Sequence, residues 1–467
     1  MQTKLSSKAT FLLLLMIFIG GYTSLSMELI VLRQLSSFVG TTTITVSIVM
    51  GAFLAFMSVG YYHGSILKTN GLCRRRLARD FLYIALQVFL ATTFILLDFY
   101  FGLFYKAGVT SNIWQTILFS ILFLSFGPYL FGKITAVLSR YLHHKNPNYT
   151  GKIMAVDTIG SVLGSLLTTL LIMPFIGVNY TIIFVVLVSL CASLLLSPKN
   201  CLLYFCGLWL LLATFLFNQN KLLEKVYGII ESNEVSSIAV VSTDNGDSKI
   251  MFVNNSPASK VSKKHSLNFA YMNFINDNFI KTLPREEIKD ILVVGAGGFS
   301  VGEHDSRNRY TYVDIDKNLK NLTEKYFRNQ PLTKNKKFVV QDANQFLKES
   351  TQQYDVIVLD TYSSKHYIPM ELVTAEYFKR AQKNLKEGGI LLLNVITSPS
   401  FTDEFSKNID NTLRLVFKNN LRSQVIQSFN AWEPQSQVNV IYAYFKRSNT
   451  QKIYDINKNS SFYDYQE

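Results

Sequence analysis

Four segments of the carboxy-terminal half place glycines or an acid at the end of a predicted strand. The first is Val293-Val294-Gly295-Ala296-Gly297-Gly298, a turn whose backbone can approach a ligand closely. The other three strands end with Asp314, Asp342 and Asp360. Parallel sheets bind ligands at the carboxyl ends of their strands, so this series predicts one ligand site, with Asp314 placed where ribose hydroxyls are usually held.

Each segment also has a structural interpretation. A tight turn needs glycine whether or not a ligand lies beside it. Asp342 precedes a helical pattern and could act only as its N-cap. Four such segments in order, at consistent spacing, favour the ligand site.

The elements that must position these residues alternate between strand and helix. This alternation predicts a parallel sheet covered by helices, and the last two strands are close enough in sequence to form an antiparallel edge pair. The predicted strands are Asp290–Val294, Tyr310–Asp314, Lys337–Gln341, Asp355–Asp360, Gly389–Asn394, Gln424–Ser428 and Val438–Phe445. The predicted helices are Lys317–Arg328, Asn344–Glu349, Val373–Lys386 and Asp403–Asn419.

A smaller β-rich unit, 221–285, precedes this domain of 286–467. Predicted strands Val235–Ser242 and Ser248–Asn254 flank an Asn-Gly pair, which is a strong hairpin signal. A helix is predicted near Ser266–Lys281.

The amino-terminal half, 1–220, is a predicted membrane domain. The whole chain of 467 residues is 49% hydrophobic and only 17% charged, against about 25% in soluble domains. Seven apolar runs approach the roughly 20 residues that a spanning helix needs. They are Phe11–Leu32, Thr42–Tyr62, Phe81–Leu103, Ile113–Leu130, Ile153–Pro174, Tyr180–Ser197 and Cys201–Phe217.

Charge is unevenly distributed. Residues 1–220 carry 14 Lys/Arg against four acids, a net +10 of the total +14. These basic residues lie in short loops, where they orient a membrane protein, so a nucleic-acid partner is not needed to explain them. The four cysteines lie in the same half without metal-ligand spacing, so neither a disulfide framework nor a metal site is predicted.

The basic loops place the amino terminus and the 63–80 loop in the cytoplasm, as expected for a multi-pass protein of the cell (inner) membrane. Seven spans then leave the carboxy-terminal domain outside the cytoplasm. If Tyr180–Ser197 or Cys201–Phe217 fails to cross, six spans return the domain to the cytoplasm. The sequence leaves both arrangements open.

Acids within or beside spans are functional candidates by default. Glu28 is expected to pair with Arg33 near the end of the first span, with a transport site as the alternative. Asp98 lies near an interface. Asp157 begins a span whose small residues (Gly160, Ser161, Gly164 and Ser165) predict close helix packing.

The strand-end series resembles a class I S-adenosylmethionine-type, Rossmann-like domain, and more narrowly the spermidine synthase family. The segments that carry this resemblance are Gln353-Tyr-Asp-Val-Ile-Val-Leu-Asp-Thr-Tyr-Ser-Ser, Ile368-Pro369, Leu372-Val-Thr-Ala-Glu-Tyr-Phe and Leu385-Lys-Glu-Gly-Gly-Ile-Leu-Leu-Leu-Asn394. Arg33-Gln-Leu, Gly151-Lys-Ile-Met-Ala-Val-Asp and Pro174-Phe-Ile-Gly resemble bacterial multi-span proteins fused to such a domain.

The resemblance implies an aminopropyltransferase, with decarboxylated S-adenosylmethionine as donor and a small amine or polyamine as acceptor. It implies that Gly295, Gly297 and Gly298 shape the donor loop and that Asp314 binds ribose. Asp342, with Ala343 beside it, would bind the adenine amino group, and Asp360 the aminopropyl amine of the donor. A homodimer is a further possibility, and the bilayer is the other implied partner.

Three departures bear on activity. The family segment D-S-S-D-P, whose second acid is the base, corresponds here to Asp360-Thr361-Tyr362-Ser363-Ser364-Lys365, so Ser363, or Lys365 if the alignment slips, takes that place. Gly298 stands where the glycine loop of the family has an acid. Glu303-His304-Asp305-Ser306-Arg307-Asn308 is a poor helix, so the helix after the glycine loop is expected to be short or missing.

The alternatives follow from these departures. The domain is an aminopropyltransferase-like enzyme, a S-adenosylmethionine-dependent methyltransferase, or a catalytically degenerate domain that binds a nucleoside or polyamine and regulates the bundle. A transporter with an accessory soluble domain is a further interpretation.

Overall fold

The computed structural model describes residues 7–40, 42–67, 74–109, 111–145, 148–197, 199–262, 268–361, 368–430 and 436–447. They form two compact units. Of the described residues, those of 7–243 and 249–258 form the helical unit, and those of 244–248, 259–361 and 368–447 form the α/β unit. These boundaries differ from the predicted ones at 220 and 285, and the division into three domains stays a prediction.

The helical unit consists mainly of long apolar helices. They are α1 Ser7–Val39, α2 Thr43–Ile66, α3 Arg74–Thr92, α4 Phe94–Lys106, α5 Asn112–Phe123, α6 Phe126–Lys145, α7 Tyr149–Leu167, α8 Met173–Leu196, α9 Cys201–Phe217 and α10 Asn220–Tyr227, with a π-helical turn at Thr168–Ile172 between α7 and α8. Strands β1 Ile229–Ser232, β2 Ser237–Thr243, β3 Ser248–Val253 and β4 Ser256–Ser262 follow, in a sheet of that order. The predicted hairpin is thus confirmed as β2 and β3.

Among the described residues, three helices are long and apolar enough to cross a bilayer, and up to six if each bent helix pair counts as one crossing. The three are Ser7–Val39, Thr43–Ile66 and Tyr149–Leu196. This last run has 48 residues, which in one straight helix would measure about 72 Å at 1.5 Å per residue, more than twice the hydrocarbon thickness. Its backbone leaves helical geometry at Gly177 (φ 79°, ψ 167°), between two of the predicted spans.

Glycines bring helix backbones into contact. A Cβ atom at Gly160 or Gly164 of α7 would lie 2.3 Å from the carbonyl oxygens of Phe18 and Tyr22 in α1. A Cβ atom at Gly60 of α2 would lie 2.0 Å from a carbonyl of α6. The small-residue stripe of the sequence therefore packs helices, as predicted.

The prediction that Glu28 pairs with Arg33 is wrong. Arg33 Nε donates to the carbonyl of Asn233 at 2.6 Å and its Nη1 donates to Ser36 Oγ at 3.1 Å. No hydrogen bond or ion pair joins Arg33 to Glu28 among the described residues. Residues five apart on a helix point about 140° away from each other, so the two side chains leave α1 in different directions.

The α/β unit contains a sheet with the order β10-β11-β9-β8-β5-β6-β7 in the described residues. Its strands are β5 Asp290–Val294, β6 Arg309–Asp314, β7 Lys336–Val340, β8 Tyr354–Leu359, β9 Leu385–Thr397, β10 Leu421–Val425 and β11 Val438–Phe445. Its helices are α11 Ala270–Ile275, α12 Leu319–Leu322, α13 Ala343–Glu349, α14 Ala375–Lys383 and α15 Glu404–Phe417, with π-helical turns Asn276–Ile280 after α11 and Thr323–Arg328 after α12.

Strands β5 to β9 are parallel, whereas β11 runs antiparallel to both β9 and β10. The chain starts at β5 in the middle, extends to one side through β6 and β7, and then returns to the other side through β8 and β9. The order therefore reverses between β5 and β8, where such sheets bind ligands. This sheet confirms the predicted Rossmann-like fold and the antiparallel edge pair.

Candidate functional site

The glycine turn after β5 lies against the end of β8. Gly295 has a φ of 88°, and its N–H donates to the carbonyl of Val313 at 2.9 Å. A Cβ atom at Gly295 would lie 2.2 Å from the carbonyl oxygen of Asp360. Only glycine satisfies both constraints, so this residue sets how closely the two strand ends approach.

Asp314, at the end of β6, binds the same turn. Its Oδ2 accepts the N–H of Ala296 at 3.0 Å and its Oδ1 accepts the N–H of Asp316 at 3.1 Å. Burial raises the pKa of Asp314 to about 6, against the opposing effect of these backbone hydrogen bonds. Each carboxylate oxygen has two acceptor sites, so Asp314 can hold the turn and still accept hydrogen bonds from a ligand.

Asp360, directly after β8, is held from two sides. Its Oδ2 accepts the hydroxyl of Tyr271 and its Oδ1 accepts the side-chain amide of Asn394, both at 2.9 Å. Burial raises the pKa of Asp360, and these two donors act in the opposite direction. The side chain is therefore fixed in one orientation at the switch point.

Tyr271 and Asn394 were not among the predicted site residues. Tyr271 precedes Asp360 by 89 residues and Asn394 follows it by 34. The one sequence signal was the position of Asn394 near the end of β9, where a polar residue follows Leu391, Leu392 and Leu393.

Asp342 is the N-cap of α13, with its Oδ1 accepting the N–H of Gln345 at 2.9 Å. It lies at the same sheet edge as Asp314, because the N–H of Gln341 donates to the carbonyl of Asp314 at 2.9 Å. Ala343 begins the helix and is partly exposed. Asp342 thus has the helix-capping role that the sequence offered as one interpretation, and its contact with a ligand stays a prediction.

Gly297 and Gly298 complete the turn. Gly297 has a φ of 48°. The N–H of Gly298 donates to Ser259 Oγ at 2.8 Å, and a Cβ atom at Gly298 would lie 2.5 Å from the ring of Phe327. Packing therefore accounts for glycine at the position where the family has an acid, while a contact of Gly298 with a ligand stays a prediction.

The segment between β5 and β6, 295–308, contains turns and no helix, as the sequence predicted. Side chains from outside the segment take over the hydrogen bonds that a helix would make. Asn276 bonds both Ser300 and Gly302, and Tyr312 donates to the carbonyl of Val301 at 2.7 Å. We call this segment the helix-free crossover.

Buried charges also hold the helix-free crossover. Arg328 Nη1 lies 3.4 Å from a carboxylate oxygen of Glu303 and donates to the carbonyl of Phe299 at 3.1 Å. Lys336 Nζ donates to the carbonyl of Glu303 at 2.6 Å. Burial and the neighbouring Arg328 lower the pKa of Lys336 to about 8.

Phe299 is a further feature that the sequence did not reveal. It has a φ of 57°, a conformation that disfavours bulky residues, and its side chain is fully buried. Its ring packs edge-on against Tyr312 and Phe338, with centroids 5.0 and 5.6 Å apart. The aromatic contacts keep the turn in place despite the strained backbone.

Ser363, the predicted position of the base, and Lys365 lie outside the described residues. Of the remaining predicted residues, the glycine turn directly contacts Asp314 and Asp360, and Asp342 follows on the neighbouring strand. Groups of three or more potential metal ligands do not occur in the part of the chain that the structure describes.

Comparisons with known proteins concern the same part of the chain. The spermine/spermidine synthase domain family matches residues 269–429, which include every strand from β5 to β10 and the glycine turn. The polyamine aminopropyltransferase of Saccharolobus solfataricus is 32% identical over 139 residues, covering 28% of this chain and 46% of that protein. That of Sulfolobus acidocaldarius is 29% identical over 142 residues, covering 29% and 47%.

Among solved structures, a probable spermidine synthase from Corynebacterium glutamicum overlaps 47% of this chain and 79% of its own, with 21% identity and a TM-score of 0.39. Spermidine synthase from Thermotoga maritima overlaps 45% and 69%, with 18% identity and a TM-score of 0.35.

Residues 269–429 thus form a spermidine synthase-like domain, and its sheet is Rossmann-like. The chain spans under half the length of the curated relatives that it matches. These relatives are archaeal, and the fusion to a bacterial-type membrane bundle stays a prediction.

Proposed function

We propose that the α/β domain binds a nucleoside donor of the S-adenosylmethionine type and transfers its aminopropyl group to an amine, while the helices anchor it in the membrane. The observation that carries this proposal is the glycine turn, which contacts both Asp314 and Asp360 at the switch point of the sheet. The match to polyamine aminopropyltransferases supports the choice of donor and acceptor.

The arrangement fits an adenosyl ligand at three points. Asp314 offers acceptor positions beside a glycine turn, which suits two adjacent hydroxyls of a ribose. Asp342 follows β7, the strand next to β6, and is the candidate for the base of the nucleoside. Asp360 supplies a fixed carboxylate for a protonated amine, which charge-assisted hydrogen bonds bind well.

Transfer requires more than binding. An alkyl amine has a pKa near 10 and is protonated at neutral pH, so it must lose a proton before its nitrogen can form a bond to carbon. The new C–N bond forms as the C–S bond of the donor breaks, and the sulfur retains the electron pair. The predicted base position holds Ser363, which is not a carboxylate, so we expect turnover to be slow at neutral pH.

A second candidate function is binding without transfer. Two observations favour it: Gly298 takes the place of an acid for a packing reason, and the helix-free crossover replaces the helix that would direct its amino terminus at the ligand. A sensor needs affinity and selectivity for the nucleoside or polyamine but no base.

Calorimetric titration of the full-length protein in detergent with decarboxylated S-adenosylmethionine and with S-adenosylmethionine tests the shared binding step. We expect heat with at least one nucleoside, and a large loss of affinity in Asp360→Asn. Asp355→Asn, at the opposite end of the same strand, is the matched control and should bind normally. Absence of heat with both nucleosides would reject the site.

Labelled donor and diamine then separate the two functions. An enzyme should give labelled polyamine at a rate that rises between pH 7 and 10, as the acceptor loses its proton without help. Nucleoside binding without product at any pH in this range would reject the transfer reaction and support binding without transfer. Labelled methylated product from S-adenosylmethionine would instead identify a methyltransferase.

A further inference from the structure

The helical unit has one end that is rich in basic side chains, which we call the basic end. Hydrogen bonds connect the helix termini that meet there. Ser193 Oγ, near the end of α8, donates to the carbonyl of Ala78 near the start of α3 at 2.7 Å. Arg140, near the end of α6, donates to the carbonyls of Ser65 and Leu67 at the end of α2, at 2.7 and 3.1 Å.

The opposite end joins a different set of termini. Gln34, near the end of α1, donates to the carbonyl of Thr92 at the end of α3, at 2.8 Å. Asn218, which follows α9, donates to Thr93 Oγ1 at 3.2 Å. Asn179 donates to Asn220 Oδ1 at 2.9 Å, which places the start of α8 there too.

The first strands of the small sheet leave the bundle at this opposite end. Arg33 of α1 donates to the carbonyl of Asn233, in the turn between β1 and β2, at 2.6 Å. A Cβ atom at Gly177 would lie 3.1 Å from the carbonyl oxygen of Ser232 at the end of β1. Contacts from both α1 and α8 thus place β1 and the turn after it at the end opposite the basic end.

Helix directions give the number of crossings. Helices α1 and α7 run parallel, since Phe18 meets Gly160 and Tyr22 meets Gly164. The break at Gly177 reverses the chain, because α7 starts at the basic end and α8 finishes there. With the bent pairs α3–α4 and α5–α6 each counted once, and with Tyr149–Leu196 counted as two helices because of the break at Gly177, the helices from α1 to α9 make seven crossings, one more than the six counted when that run is taken as a single helix.

Charge distinguishes the two ends. Exposed arginines Arg74, Arg75, Arg76 and Arg79 begin α3 at the basic end, which also includes Arg140, Lys152 and Lys199. The basic side chains near the opposite end are Arg33, Lys106, Lys221 and Lys225. By the positive-inside rule, the basic end faces the cytoplasm.

We propose that the chain leaves the bundle on the non-cytoplasmic side of the membrane, and that the α/β domain takes its ligands from that compartment. No helix after α10 is long and apolar enough to return the chain across the bilayer, within the residues that the structure describes. If the domain performs the proposed transfer, its donor is a sulfonium cation. A transport step must then deliver that cation across the membrane before the reaction, because a permanent charge does not cross hydrocarbon unaided.

Cysteine labelling in spheroplasts tests this side assignment without any ligand. The four natural cysteines (Cys73, Cys191, Cys201 and Cys206) are first replaced by serine, and one cysteine is then introduced as Glu286→Cys or His144→Cys. Both positions are exposed, the first in the α/β unit and the second near the end of α6 at the basic end. The reagent is a membrane-impermeant maleimide.

We expect Glu286→Cys to be labelled equally before and after lysis, and His144→Cys only after lysis. Labelling of His144→Cys before lysis, or of Glu286→Cys only after it, would overturn the proposal. Alkaline phosphatase fused after Glu467 in the unmodified chain gives a second measurement, and it should be active only if this terminus lies outside the cytoplasm. Neither result depends on nucleoside binding, so failure of the proposed function would leave them unchanged.

Discussion

The two units place apolar side chains in opposite positions. Large apolar residues of the helical unit project outward, with Phe175 81% and Trp209 58% exposed, while Ser26, Asp80 and Thr168 are buried. In the α/β unit, by contrast, Phe299 and Tyr312 are fully buried. The outward apolar side chains of the helical unit are the arrangement expected if it lies in a bilayer, as proposed above.

The way neighbouring backbones approach differs as well. In the helical unit, glycines such as Gly60 and Gly160 allow the backbone of one helix to touch the next. In the α/β unit, close approach occurs in turns, at Gly295 and Gly302 with positive φ and at Gly298 without it. The same residue type therefore serves helix packing in one unit and turn geometry in the other, and substitutions can test each role.

The largest expected effect is at Gly60. Leucine at this position would overlap the backbone of α6, because even a Cβ atom would lie 2.0 Å from the Tyr129 carbonyl oxygen. We expect Gly60→Leu to destabilise the protein by more than about 4 kcal/mol, giving little folded protein after size-exclusion chromatography in detergent. Gly51→Leu, on the same helix with nothing within 4 Å, is the control and should purify normally. Equal yields would refute glycine-mediated packing.

The second effect concerns the helix-free crossover. Gly302 has a φ of 68°, and a Cβ atom there would lie 2.2 Å from the ring of Tyr310. Gly302→Ala should lower the free energy of unfolding by about 3–4 kcal/mol, from strain and overlap together. Gly388→Ala, with φ 77° and open space around it, should cost about 1 kcal/mol from strain alone. Thermal unfolding followed by tryptophan fluorescence would compare them, and equal losses would contradict the role of the Tyr310 contact.

The third effect separates ligand binding from helix capping. Asp342 and Asp403 both cap helices, accepting N–H groups at 2.9 and 2.8 Å. Alanine at either should cost about 1 kcal/mol of stability. Only Asp342→Ala should also weaken nucleoside binding, by about ten- to hundredfold, as expected for a lost hydrogen bond to a charged group. An unchanged calorimetric affinity of Asp342→Ala for the nucleoside would show that Asp342 acts only as a helix cap.

The smallest effect is a pH dependence. Burial raises the pKa of Asp314 to about 6, and its ionised form is the better acceptor for two hydroxyls. Nucleoside affinity should therefore be constant above pH 7 and fall about tenfold by pH 5, because binding must then remove a proton. Asp314→Asn should bind more weakly but with a flatter profile. An unaltered profile in this variant would assign the titration to another group.

Sequence reasoning identified the elements better than their contacts. Strands β5 and β11 have the predicted bounds, because each is a buried apolar run with clear ends. The missing helix after the glycine turn was also predictable, since Glu303–Asn308 lacks an apolar face. What holds that segment was not predictable, because Asn276 and Arg328 reach it from distant parts of the chain.

The same limit applies to the candidate site. The acids could be located from their places at strand ends, whereas the partners of Asp360 depend on the folded sheet. The prediction of a Glu28–Arg33 pair was wrong for a local reason, since proximity in sequence does not put two side chains on one face of a helix.

The helix-free crossover has a consequence for transplanting parts between proteins. A helix carries its internal bonding with it and keeps its form in a new host. The backbone carbonyls of this segment instead accept hydrogen bonds from the side chains of Asn276, Tyr312, Arg328 and Lys336. A chimaera that received residues 295–308 alone would have the sequence of the segment but not the hydrogen bonds that fix its conformation. The four donor residues must therefore be transferred together with the segment.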